Sequence, residues 1–236
     1  MMRNEPWERM VQIGDCVLYQ GDCLRIMPML EGVDAVVTDP PYGIGEAAGK
    51  NKSRGKVAPA RDYGKLSWDD KPATRARLEL MREIARWQII FGGNFYDLPP
   101  TSCWLVWDKM ISGDFADCEL AWTNLTKATR RVRFMWNGML RQNNEPRGDH
   151  PTQKPVEVMR WCIGHVPDAA TILDPFMGSG TTGVAAVKMG RKFVGIEQEA
   201  SYFDIACKRM EEATRQPDML ISAPPEPPLV SGDMFE

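Results

Sequence analysis

The chain has 236 residues, 43% of them hydrophobic, with 20 glycines and 18 prolines. That is enough for one sizeable domain and excludes a fibrous or largely disordered chain. A net charge of -3 excludes a protein that coats nucleic acid by bulk positive charge, although a local basic face remains compatible with DNA. The six cysteines form no CxxC pair and there are only two histidines, so neither spacing nor spare ligands build a structural zinc site, and no metal is expected. The N-terminus, MMRNEPWERM, has no apolar signal core, and no run reaches the roughly 18 apolar residues of a membrane span. A cytoplasmic protein with no membrane partner is expected.

In chain order, short apolar runs predict buried strands: CVLYQ (16–20), DAVVT (34–38), WQIIF (87–91), CWLVW (103–107), VRFMW (132–136), TIL (171–173) and KFVGI (192–196). Helices are predicted at 75–85, at 154–165 with a proline just inside its start, at 181–189 before Gly190, and at 201–213 with Ser201 as N-cap. Strand and helix alternate, which predicts an α/β fold with a mainly parallel sheet. Residues 46–66 read as a mobile basic loop, and 216–236 as a disordered, proline-rich tail. One domain is expected over 1–215.

The run AVVTDPPYGIG places Asp39, Pro40, Pro41 and Tyr42 directly after a buried strand. In open α/β sheets ligands bind beyond the carboxyl ends of the strands. Two prolines stiffen the turn and remove two backbone donors while keeping their carbonyls. Asp39 and the Pro40 carbonyl can each accept one N–H of an amino group, and the Tyr42 ring can stack on a flat heterocycle. Such an amine is a poor nucleophile, because its lone pair is delocalised into the ring. Two acceptors on its hydrogens favour a more tetrahedral nitrogen. The plainer reading is a strand-end turn whose prolines only fix the chain.

Further along, TILDPFMGSGTTGVAAVKMGRKFVGIE reads as strand, glycine turn, small-residue helix, strand and acid. Gly178 and Gly180 allow a tight turn and close approach of a ligand. The following helix offers its first N–H groups to a carboxylate. Glu197 ends the next strand and can accept two ribose hydroxyls, and Asp174 faces the same crevice. GSGTTG also fits G-x-G-x-x-G, the nicotinamide-dinucleotide fingerprint. Against that reading, the turn lies late in the chain, and a dehydrogenase has no use for DPPY at another strand end.

DPPY resembles the catalytic motif of the amino-methyltransferases that act on DNA bases, and DPFMGSGTT resembles their motif for S-adenosylmethionine (AdoMet). DPPY comes first, which resembles the circularly permuted β group of that family. The resemblance covers about residues 17–212. It implies a Rossmann-like AdoMet-dependent methyltransferase fold, with a mainly parallel seven-stranded sheet and one antiparallel strand, VRFMW. GDCLRIMPML resembles the segment whose acid, here Asp22, reaches the adenine of AdoMet, with Cys23 beside it. FGGNFY, WLVWDK and DCELAW resemble the later strand motifs, and HPTQKP the segment that opens the helix before the AdoMet strand.

What the resemblance implies can be stated residue by residue. Asp39, Pro40, Pro41 and Tyr42 are catalytic. AdoMet is held by Asp22, Cys23, Asp39, Lys154, Asp174, Pro175, Phe176, Gly178, Ser179, Gly180, Thr181 and Glu197, with Lys154 pairing the AdoMet carboxylate. The plainer alternatives are a solvated Lys154, and structural hydrogen bonding by Asn94 and Glu119. Asp at the first position of DPPY resembles the adenine-N6 enzymes more than the cytosine-N4 enzymes. Cytosine N4 and a catalytically inactive DNA-binding subunit are the competing readings.

The target amine lies inside the duplex, so its base must be flipped out. Lys52 and Arg54 in the basic loop, and Arg130, Arg131, Arg133 and Arg141 in a cluster, are the expected contacts to double-stranded DNA. The recognition insert, near 123–150, is short for the family. A homodimer is expected, one copy methylating while the other reads DNA.

Overall fold

The computed structural model describes residues 5–43, 72–110, 116–136 and 153–215. Among them a nine-stranded sheet forms, in the order β1-β2-β9-β8-β3-β4-β6-β5-β7. The strands are β1 (Arg9–Ile13), β2 (Cys16–Gln20), β3 (Ala35–Thr38), β4 (Trp87–Phe91), β5 (Trp104–Asp108), β6 (Cys118–Thr123), β7 (Arg130–Arg133), β8 (Thr171–Asp174) and β9 (Lys192–Glu197). The helices are α1 (Cys23–Ile26), α2 (Arg75–Ile84), α3 (Val156–Gly164), α4 (Thr181–Lys188) and α5 (Ala200–Arg215). None of the described helices is long and apolar enough to cross a membrane.

The expected α/β class and mainly parallel sheet are present, with differences at three strands. The strand count is nine because β1 pairs with β2 as an edge hairpin and β6 lies between β4 and β5. β1 is short, half-exposed and without an apolar run, so hydrophobic pattern alone did not reveal it. The antiparallel member expected in VRFMW is instead DCELAW: β6 runs antiparallel to both β4 and β5, whereas β7 runs parallel to β5. β7 is the polar edge RRVR, two residues upstream of the apolar stretch that pointed to it.

Side chains alternate between the two faces of the sheet, as strand geometry requires. On β3, Ala35 and Val37 join a core with α3, α4 and α5, while Val36 joins a second core with α1 and α2. Ile172 and Leu173 of β8 divide in the same way. Burial on both faces explains why these central strands read as unbroken apolar runs. α2 buries Leu78 and Met81, one turn apart, and keeps an Arg75–Glu79 pair on its wet side. α5 begins at Ala200, with the Glu199 carbonyl accepting from Phe203 N at 2.9 Å, so Ser201 lies inside the first turn and is not the N-cap.

Candidate active site

β3 and β8 are parallel neighbours, although some 130 residues separate them in the chain. From β8 the chain crosses through α4 to β9 on one face of the sheet, and α2, between β3 and β4, packs on the other. Their shared border is therefore a switch point, where a crevice opens beyond the carboxyl ends of the strands. The Thr38 hydroxyl, on β3, donates to Asp174 Oδ1 on β8 at 2.7 Å and ties the two walls together. DPPY and the glycine turn thus meet across this border, as the motifs predicted.

On the DPPY side, Asp39 accepts hydrogen bonds from the Tyr42 hydroxyl at Oδ1 and from Lys154 Nζ at Oδ2, the latter at 2.5 Å. The Tyr96 hydroxyl lies 3.1 Å from the Pro40 carbonyl and 2.9 Å from that of Pro41, and can donate to either. Pro41 O also accepts from Ala73 N at 3.0 Å. The Tyr42 ring stacks on Phe95, with centroids 5.1 Å apart and planes 18° from parallel. Gly92, at φ 66°, passes so close to that ring that a Cβ would collide with it. Glycine is therefore required there by conformation and by space. Phe95, Tyr96 and Gly92 belong to FGGNFY, a segment legible as a strand end but not as the wall of the tyrosine. Asn94 is exposed.

Lys154 is not solvated. Its side chain is 8% exposed, and Nζ bridges Asp39 Oδ2 at 2.5 Å and Glu119 Oε2 at 2.9 Å, while Lys109 Nζ lies 2.5 Å from Glu119 Oε1. Four charges of alternating sign thus line up from the end of β3 through the approach to α3 and β6 to the end of β5. Burial raises the Asp39 carboxyl above its usual range, opposed by Lys154. Burial also works against the charge on Glu119, yet Lys154 and Lys109 hold that carboxyl at about 2. Desolvation would lower the Lys154 ammonium, but Asp39 and Glu119 raise it above the usual lysine range. Burial and the nearby Asp39 and Glu119 charges keep Tyr42 protonated, well above its ordinary range.

On the other side, the glycine turn is held by buried acids. Asp174 accepts from the Thr38 and Thr182 hydroxyls at 2.7 and 2.6 Å and from Phe176 N at 3.1 Å. It is 3% exposed, and burial pushes its carboxyl up to about 6. Its contacts set the shape of the turn. Gly180, at φ 78°, caps α4, and Gly178 N donates to Glu197 Oε2 at 2.9 Å. Glu199 N donates to the other Glu197 oxygen at 2.8 Å, and burial pushes this carboxyl up to about 7. Arg209, from α5, donates to the Ser179 carbonyl and hydroxyl and to the Thr181 hydroxyl at 2.8–3.1 Å. Pro175 is buried and Phe176 partly so, beneath the turn.

Asp22 and Glu197 stand at the ends of the neighbouring strands β2 and β9, where Gln20 pairs with Glu197. Asp22 caps α1 through Leu24 N at 3.1 Å and pairs with Arg77 at 3.3 Å. Cys23 is buried in the core beside it. Two acids on adjacent strand ends, next to a glycine turn opening a helix, can take ribose hydroxyls, an amine and a carboxylate from one extended nucleoside ligand.

Of the basic residues, Arg130, Arg131 and Arg133 lie on the edge strand β7. Arg131 and Arg133 are 65% and 60% exposed and reach Asp108 at 3.9 and 3.3 Å. Lys52, Arg54 and Arg141, the loop at 46–66, the tail at 216–236 and the insert beyond residue 136 lie outside the described residues.

The fold and the crevice define an α/β protein with a large, mostly parallel sheet and a ligand crevice at its switch point. PvuII DNA methyltransferase (cytosine-N4-specific) has the same fold, with a TM-score of 0.55 over 89% of this chain and 95% of that one at 14% identity. A family model, N6_N4_Mtase (DNA methylase), matches residues 100–208. The Type II methyltransferase M2.LlaDCHI of Lactococcus lactis subsp. cremoris is 44% identical over 85 residues, which is 35% of this chain and 32% of that protein. That match spans about a third of the relative's length. The Type II methyltransferase M2.MboI of Moraxella bovis is 25% identical over 242 residues, 84% of this chain and 88% of that protein. The chain is thus similar to the N6/N4 DNA methylases over residues 100–208 of its sequence, and to one of them in fold.

Proposed function

We propose that the protein is a DNA methyltransferase that transfers the methyl group of AdoMet to N6 of a flipped adenine. The observation that carries this reading is the placement of Asp39 at the end of β3, tied by the Thr38–Asp174 bond to the glycine turn after β8. An amine acceptor and a nucleoside-binding turn then share one crevice. Glu197 and Asp22 suit the ribose and adenine ends of AdoMet. The Gly178–Thr181 turn, at the start of α4, suits its methionine end. The fit is chemical: two backbone N–H groups already orient the Glu197 carboxylate, which leaves lone pairs for hydroxyl donors. When bound, AdoMet supplies a methyl group on a sulfonium, whose C–S electron pair leaves with sulfur as the N–C bond forms.

The chain's own residues prepare the nucleophile. An ionised carboxylate offers about four lone-pair sites, and Tyr42 and Lys154 occupy two on Asp39. A target N–H can take a third. The Pro40 carbonyl, with a lone pair left beside the Tyr96 contact, accepts the second N–H. Both bonds strengthen as positive charge develops on nitrogen, so they act chiefly in the transition state. The surplus proton passes from the amine to solvent. Asp at the first position of DPPY supports adenine. Cytosine N4 presents the same pair of hydrogens, so identifying the modified base is the test of that choice.

DNA binding is assigned to the basic edge and loop. Counterion release makes log affinity fall against log salt by about 0.9 per phosphate neutralised. Replacing Arg130, Arg131 and Arg133 together by Ala flattens that slope, measured by fluorescence anisotropy from low to physiological salt. An unchanged slope places DNA elsewhere. Light scattering on the same complexes tests the homodimer, which the short insert supports: one chain per duplex contradicts it.

A further inference from the structure

The ion network behind Asp39 is not explained by stability alone. Lys154 is 8% exposed, Lys109 18% and Glu119 22%, and buried ion pairs of this kind stabilise less than apolar residues of the same volume. Its three members come from three separate places in the fold, the approach to α3, β6 and the end of β5, and Lys154 joins them to the one carboxylate assigned to the amine. A lysine paired with Asp39 alone would leave the amine facing a neutral ion pair as it becomes cationic. Glu119 lessens that difficulty by drawing on Lys154 from the side away from the amine, while Lys109 pairs with the far oxygen of Glu119.

We infer that Lys154 and Glu119 are positioning residues of the methyl-transfer site: Lys154 orients the Asp39 carboxylate, and Glu119 shares the lysine charge so that Asp39, at the negative end of the chain of charges, is neutralised less completely where the amine binds. The inference rests on the function proposed above. The groups facing Asp39 are Tyr42 from its own turn, Lys154 from the approach to α3, Glu119 from β6, Tyr96 from the turn after β4 and Asp174 from β8. Cys162 of α3 neighbours Lys154, and Lys109 faces Glu119.

The two substitutions have opposite signs. Lys154→Met leaves Asp39 beside the Glu119 charge in a desolvated corner, so its protonation midpoint rises. Glu119→Gln, nearly isosteric, leaves Lys154 to Asp39 alone, so the midpoint falls. A shift of about one pH unit or more is expected each way, as for close charges at buried sites. Carboxyl-¹³C NMR titration of the full chain reads the midpoint directly, with Asp39 assigned by the loss of its signal in Asp39→Asn. The acid limb of the single-turnover methylation rate moves with it. The double variant Lys154→Met/Glu119→Gln falls between the two. Thermal melts and AdoMet calorimetry check the fold, and if Lys154→Met does not fold, the sign of the Glu119→Gln shift decides alone. Midpoints that stay put, or shifts that the rate does not follow, overturn the inference. A wild-type chain with no methylation at any pH overturns the proposed function instead, while the carboxyl titration still decides whether the network governs Asp39.

Discussion

Asp39→Ala should lower kcat by about 10²–10³, the usual cost of one preorganised electrostatic partner, and should leave AdoMet and DNA binding largely intact. The backbone of β3 does not depend on this side chain: Thr38 remains bonded to Asp174, and Tyr96 and Ala73 still hold the proline carbonyls. Lys154 loses one carboxylate but keeps Glu119 at 2.9 Å, so no buried cation is left alone. What disappears is the acceptor whose bond strengthens as nitrogen becomes cationic, which is a loss in rate and not in affinity. Single-turnover methylation beside gel-shift titration separates the two. Activity within about tenfold of wild type, where a preorganised acceptor predicts a larger loss, would remove DPPY from the chemistry.

Gly178→Asp should abolish AdoMet binding in a protein that still folds. Gly178 sits at φ 51°, where a side chain costs about 1–2 kcal/mol. Its N–H bonds Glu197 Oε2 at 2.9 Å, so a new carboxylate would stand beside an existing acid and against the methionine end of the ligand. Gly178→Ala is the control. It carries the backbone strain without the charge and should weaken binding less. Isothermal calorimetry on both variants, with circular dichroism to confirm the fold, makes the measurement. Undiminished binding by Gly178→Asp would move the cofactor site away from this turn.

The central fold was legible because β3, β4 and β8 are buried on both faces, and β2 and β9 on one face with the other partly covered, so that all five show as apolar runs. The edges were not. β1 and β7 carry arginines and half-exposed side chains, so their pairing is fixed by the neighbouring strand and not by their own pattern. β6 was visible only through the resemblance of DCELAW, whose direction no local feature encodes. At the site, Asp39, Gly178, Gly180 and Glu197 could be picked out because each is tied to a local backbone event: a strand end or a left-handed turn. The ion pairs of Lys154 were not legible, for the opposite reason. The partners lie 115 residues away at Asp39 and 35 away at Glu119, and only sheet order brings them together. The Tyr96 bonds to the proline carbonyls and the Phe95 stack on Tyr42 escaped notice in the same way.

The most direct test of the proposed function is the identity of the product base. Duplex DNA from an unmethylated host is incubated with the purified chain and methyl-labelled AdoMet, digested to nucleosides and separated by liquid chromatography with mass detection. Label is expected in N6-methyladenine and is lost in Asp39→Ala. Label in N4-methylcytosine would contradict the adenine assignment, and no labelled base in any duplex sequence would contradict the methyltransferase reading itself.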